Sequence, residues 1–173
     1  MKIAIRADGN STIATGHIMR CLSIAAALKK SGNDCIFIVA DEQSHTLLKT
    51  ADYPVIILNS LWNNLESEIP AMLKVLKENS IDKIIVDSYY ATEKYLEELE
   101  TVCSAIYIDD LFEIHPKISA IINYAVYGSH LPYITYHSGT KTKLLLGTKY
   151  APLRAEFQNT HPSFRELVAR ILI

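Results

Sequence analysis

Short runs of apolar, β-branched residues alternate with longer stretches of helical period along the whole chain, and few folds accept that pattern. Ile3-Ala4-Ile5-Arg6 reads as a strand covered on both faces, because no polar residue alternates within it. From His17 to Lys30 the apolar residues Ile18, Cys21, Leu22, Ala25 and Leu28 recur at three- and four-residue steps, and Ser31-Gly32-Asn33 supplies the stop. Cys35–Val39 is a second strand, Ser44–Thr50 a second helix, and Val55–Leu58 a third strand after Pro54. Leu65–Asn79 is the clearest amphipathic helix, with Ile69, Met72, Leu73 and Leu76 on one face. Ile84-Ile85-Val86 leads into Asp87, and Thr92 is placed to cap a helix carrying Tyr95, Leu96, Leu99 and Val102. Ile106–Ile108, Ala120–Ile122 and Lys143–Leu146 complete the strands.

Repeated strand-helix alternation predicts an α/β, Rossmann-like, mostly parallel sheet with helices on both faces. At 173 residues the chain suits one domain. Ligands of such open sheets bind outside the carboxyl ends of the strands. The loops of interest are therefore Asp8 to His17, Asp87 to Tyr90, and Asp109 to Phe112.

Composition removes several functions. Lys plus Arg number 17 against 19 Asp plus Glu, a formal net charge of −2, so general nucleic-acid binding is not expected. The apolar runs are too short for a membrane span, and Lys2 and Arg6 come too early for a signal peptide. Cys21, Cys35 and Cys103 are odd in number and far apart, which suits buried free thiols and a cytoplasmic setting rather than a disulfide framework. The six histidines show no metal-ligand spacing, so no metal or cofactor is expected; His45, His115, His130, His137 and His161 are expected on the surface or in loops.

The first loop has glycines at positions 9 and 16 but neither a dinucleotide fingerprint nor a Walker pattern. It does put His17 at a helix start on the ligand edge of the sheet, where the positive helix end favours a neutral imidazole able to accept a proton. Gly16 leaves room for a ligand near the backbone. The plainer alternative is that His17 caps the helix and Gly16 turns the chain. Asp8 either contacts a ligand or ties down the loop through backbone N–H groups, with Thr12 and Thr15 as weaker candidates. Arg6 and Arg20 are expected to pair with carboxylates. Asp87 and Asp109-Asp110 stand at strand ends, where they line a cleft or stabilise turns. The tyrosine-rich stretch from Tyr124 to Tyr136 packs under a long loop or offers a sugar platform.

Ile13-Ala14-Thr15-Gly16-His17-Ile18-Met19-Arg20-Cys21-Leu22 resembles the I-G-x-G-H-[IV]-x-R-x-L signature of the pseudaminic acid pathway nucleotide-sugar hydrolases, which are similar to spore coat polysaccharide biosynthesis proteins. Ile5–Asp8, Ile85–Tyr89, Tyr107–Asp110, Asn123 and Gly147–Phe157 resemble further segments of that family in the same order. The resemblance implies the N-terminal half of a glycosyltransferase-B-like two-domain fold. Residues 1–168 would form the sugar and water side of the cleft, and 169–173 the first strand of a C-terminal domain that grips UDP. It further implies metal-free hydrolysis of a UDP-linked diacetamido-trideoxy sugar at its anomeric carbon, inverting and with C–O cleavage. His17 and Tyr89 carry over as catalytic residues, with Asp8, Thr12, Thr15, Gly16, Asp87 and Asp110 as substrate-binding ones. Rival readings are a glycosyltransferase of the same fold and a non-catalytic sugar-binding domain. On the hydrolase reading, the 173-residue chain alone is expected to turn over little. Ala14 replaces the first glycine of the signature, which suits a loop of negative φ there.

Overall fold

The computed structural model describes residues 1–157, so the expected domain limit at residue 168, the segment 169–173 and His161 lie outside the described residues. The elements alternate as the sequence pattern predicts. The strands are β1 (Lys2–Ala7), β2 (Asp34–Val39), β3 (Val55–Ile57), β4 (Lys83–Asp87), β5 (Ser104–Ile108), β6 (Ala120–Asn123) and β7 (Lys143–Leu146). The helices are α1 (Gly16–Lys30), α2 (Glu42–Leu48), α3 (Ile69–Glu78), α4 (Glu93–Glu100) and the single turn α5 (Tyr133–Tyr136). All seven strands join one parallel sheet in the order β3-β2-β1-β4-β5-β6-β7.

Strand pleating sorts the apolar residues into two cores. Ile3, Ile5 and Ala7 of β1 join Phe37, Val39 and Ile85 beneath Ile18, Cys21 and Ala25 of α1 and Leu48 of α2. Ala4, Ile36, Ile38, Ile84 and Val86 face the opposite way, onto Met72 and Leu76 of α3 and Tyr95, Leu96 and Leu99 of α4. Helices thus cover both faces of the sheet, and all three cysteines are buried free thiols.

The expected helix Leu65–Asn79 divides into a 3-10 turn, Leu65–Glu68, and α3. Pro70 explains the break: it lacks an N–H and sits where a helix tolerates it, in the first turn. Thr92 caps α4 as expected, its hydroxyl accepting from Tyr95 N at 3.1 Å.

Arg6 also faces the α3 and α4 side and is 0% exposed. Its Nε and Nη2 donate to the two oxygens of Glu68, at 2.7 and 3.0 Å, and Nη1 to Asp8. Tyr95 and Ser60 donate their hydroxyls to Glu68 at 2.7 and 2.6 Å. Burial alone pulls the Arg6 pKa down, but Asp8 and Glu68 outweigh it and leave the guanidinium firmly charged.

His137 stands in the turn after α5, a loop position as expected, but not on the surface. It is buried, and among the described residues neither ring nitrogen has a hydrogen-bond partner. Burial, with His115 nearby, lowers its pKa from 6.5. The unfolded chain therefore binds the proton more readily than the folded one, and stability falls as the pH drops below about 6.5. His137→Leu is expected to shrink the shift in urea midpoint between neutral and mildly acidic buffer; an unchanged shift would assign that dependence to other groups.

Candidate active site

The strand order reverses direction between β1 and β4, which places a crevice at their carboxyl ends. Register pairs Ala7 with Asp87 there, so the first loop and the end of β4 meet although eighty residues separate them.

The first loop is folded tightly on itself. Asn10 Oδ1 accepts from the backbone N–H groups of Thr12 and Ile13 at 2.8 and 3.0 Å, and Asn10 N donates to Ala14 O at 3.2 Å. A Cβ on Gly9 would stand 2.7 Å from the tip of the Leu47 side chain and 3.1 Å from Ala14 O and Ile18 Cγ1, so the turn packs closely around this glycine. Ala14 closes the turn at φ +57°, against the expectation of a negative φ. The turn imposes the left-handed conformation, and alanine bears the strain that glycine would avoid. Ala14→Gly is expected to stabilise the fold by about 1 kcal/mol, read as a higher urea midpoint.

His17, the second residue of α1, is 5% exposed. Its Nδ1 lies 2.6 Å from Asp87 Oδ1. A carboxylate accepts only, so Nδ1 is the donor to Asp87, and in the neutral ring the lone pair then sits on Nε2. Among the described residues Nε2 has no hydrogen-bond partner. Arg20 braces the carboxylate from the next turn of α1, donating Nε to Asp87 Oδ2 at 2.6 Å and Nη2 to Oδ1 at 2.5 Å. Its Nη1 reaches Asp110 at 2.7 Å and the Tyr124 hydroxyl. Burial would raise the Asp87 pKa, but hydrogen bonds from His17 and Arg20 hold it below 3.8.

Tyr89, 49% exposed, sets its ring edge-on to the imidazole with centroids 4.6 Å apart. Ile13, Gly16, His17, Arg20, Tyr89 and Tyr124 line a hollow of about 250 Å³. A second hollow, of about 380 Å³, adjoins it through Gly16, Arg20 and Tyr124 and extends along α1 to residues 151–154. A Cβ on Gly16 would meet no protein atom within 4 Å, so the space beside it is open to a ligand. A larger hollow, of about 430 Å³, lies beside Pro54 and Val55 at the amino end of β3, the scaffold end of the sheet.

The remaining sequence candidates separate by position. Thr15 borders the second hollow, whereas Thr12 is exposed on the loop and lines neither. Asp8 is buried; its Oδ1 accepts from Ala40 N at 2.8 Å and Ser44 Oγ at 3.2 Å, and its Oδ2 from Arg6. That is the loop-tying role. Asp87 is 1% exposed and holds His17 and Arg20 rather than facing the hollow. Asp110 stays partly open beside Arg20, while Asp109 secures its own turn through Leu111 N and Phe112 N. Tyr133 packs as a buried strut, donating to Asp109 at 2.6 Å, and Tyr124 forms part of the site wall.

Sequence reasoning did not single out Glu68. Its signal was present: Leu65, Glu68, Met72 and Leu76 fall at three- and four-residue steps, which puts a carboxylate on an apolar stripe. Among the described residues no group of three or more His, Cys, Asp or Glu side chains is arranged to hold a metal ion. No described helix is long and apolar enough to cross a membrane.

No family model matches the chain. It is 29% identical over 160 residues to the uncharacterized protein MJ1062 of Methanocaldococcus jannaschii, which covers 91% of this chain and 32% of that protein. The chain thus spans about a third of the length of that relative. Among solved structures, MurG of Acinetobacter baumannii superposes with a TM-score of 0.53 at 11% identity, covering 71% of this chain and 41% of MurG. That likeness is one of fold: the parallel α/β sheet is the Rossmann-like type found in glycosyltransferase-B proteins.

Proposed function

We propose that this chain supplies the water-activating side of a nucleotide-sugar hydrolase, with the nucleotide held by a second domain. The proposed reaction splits a UDP-linked diacetamido-trideoxy sugar at its anomeric carbon. One observation carries it: His17 Nδ1 lies 2.6 Å from the buried Asp87 carboxylate and the imidazole lines an open hollow, an arrangement in which a neutral ring would offer Nε2 as the base.

The steps follow from that geometry. Nε2 takes a proton from a water held in the hollow as the water oxygen bonds to the anomeric carbon. The bond from that carbon to the UDP oxygen breaks, and its electron pair leaves with UDP. Attack on the face opposite UDP inverts the configuration. Asp87 stabilises the imidazolium that forms, and Arg20 keeps Asp87 ionised and oriented. Tyr89, its ring edge-on to the imidazole, would offer a hydroxyl and an aromatic face to the reacting carbon, where positive charge develops. UDP is a good leaving group, so positioning one water is most of the catalytic task. The sequence resemblance and the glycosyltransferase-B type of sheet both support this reading.

A transferase of the same fold would present an acceptor hydroxyl to the same nitrogen. The discriminating experiment gives the full-length protein the UDP-sugar without acceptor, in water enriched in heavy oxygen. Free sugar labelled at its anomeric carbon, with unlabelled UDP, is the expected result. Release of UDP only on adding an acceptor, with the sugar joined to that acceptor, would replace hydrolysis with transfer, and label in UDP would overturn C–O cleavage.

A further inference from the structure

Tyr124 directly follows β6 at the ligand edge of the sheet and lines both hollows beside α1. Its oxygen accepts from Arg20 Nη1, and among the described residues its own O–H meets no acceptor. The phenol is therefore held as an acceptor by a cation, and its proton is left for what enters the hollows. Accepting from a guanidinium also polarises the hydroxyl and makes it a stronger donor. Burial raises the Tyr124 pKa against the pull of Arg20, so the group keeps its proton at neutral pH.

The two hollows differ in character. His17 and Tyr89 wall the first, whereas the second runs on to Thr15 and Arg154 and has no acidic side chain in its wall. Arg20 borders both but is committed to Asp87 and Asp110. The cation left for a ligand is Arg154, which is exposed and among the described residues forms no ion pair. A guanidinium beside fixed hydroxyl donors suits an oxyanion. Gly16 borders both hollows without a side chain, so one ligand can occupy the two together.

We propose that the second hollow seats the phosphate joined to the sugar, with Tyr124 donating to one of its non-bridging oxygens and Arg154 balancing its charge. This rests on the proposed function and deepens it. The base lies in the first hollow, and the departing group lies in the adjoining one, which leaves the nucleoside end to the second domain. As the bond from the anomeric carbon breaks, its electron pair passes to the phosphate, whose oxygens become better acceptors. The Tyr124 hydrogen bond therefore strengthens in the transition state, and its proton stays on Tyr124.

Tyr124→Phe in the full-length protein keeps the ring and removes only the hydroxyl. With the UDP-sugar it is expected to lower kcat about 10–100-fold. With the glycosyl fluoride of the same sugar, which has no phosphoryl oxygen, the loss should shrink to about threefold. A residue that merely braces Arg20 would cost both substrates equally, and that result would overturn the proposal. Arg154→Ala, at an exposed position, is expected to raise KM for the UDP-sugar about tenfold, with a much smaller rise for the fluoride. Equal rises for the two substrates would overturn the phosphate subsite as well. Calorimetry with UDP needs no turnover. Weaker UDP binding by both variants of a protein that hydrolyses nothing would keep the subsite and remove the hydrolase reading; hydrolysis with kcat unchanged in Tyr124→Phe would do the reverse.

Discussion

Glu68→Ala is expected to cost about 3–5 kcal/mol of folding stability, a large share of what a domain this size possesses. Glu68 accepts four hydrogen bonds: two from Arg6 and one each from Tyr95 and Ser60. Alanine would leave the guanidinium with Asp8 as its one charged partner and strand two hydroxyls, while Arg6 has no path to water. Truncation removes the attraction and keeps the desolvation cost, which is why one half of a buried pair costs more to lose than both. Glu68→Gln retains an acceptor and the side-chain volume, and is expected to recover part of the loss. Urea unfolding of the three proteins measures the series. A cost below about 1 kcal/mol for Glu68→Ala would show that water or a shifted side chain replaces the carboxylate.

Asp87→Asn is expected to lower kcat of the full-length protein by about 10²–10⁴-fold with a smaller change in KM. An asparagine presents either its oxygen or its NH2 to His17 Nδ1. In the second arrangement the imidazole proton moves to Nε2, and the base is lost. Arg20 would also lose the charge that two of its nitrogens grip. His17→Asn should fall at least as far, and the double variant no further, because the two side chains act as one unit. Activity of Asp87→Asn within about threefold of the parent would reduce Asp87 to a structural brace. Asp87 also shapes acid stability. Its folded pKa lies below 3.8, so its contribution is complete at neutral pH and lost only as the pH falls through that depressed value.

The sheet and both helical layers were legible in the sequence because parallel strands buried on two faces leave an unbroken apolar signature, as in Ile84-Ile85-Val86. His17 and Tyr89 were legible as candidates through loop position and motif. Their connection was not. The partnership of His17 with Asp87 spans 70 residues and exists only because β1 and β4 pair in one register. Asp87 looked like a ligand contact, since a carboxylate at a strand end reads alike whether it faces the cleft or the protein. Ala14 misled for a related reason: the backbone angle there is set by the closing bond to Asn10, not by its own preference.

The strand order also governs when the chain can fold. Of the described strands β1 is synthesised before the others, yet it lies in the interior of the sheet, and its partner on one side is β4, eighty residues later. Until Lys83–Asp87 emerges, β1, β2 and β3 can form no more than a three-stranded piece whose open edge is Ile3-Ala4-Ile5. That edge is apolar and ready to pair with any strand it meets. The interval between the emergence of β3 and that of β4 is therefore when this edge stands unpaired, and a translational pause that falls before β4 has emerged would lengthen its exposure to aggregation.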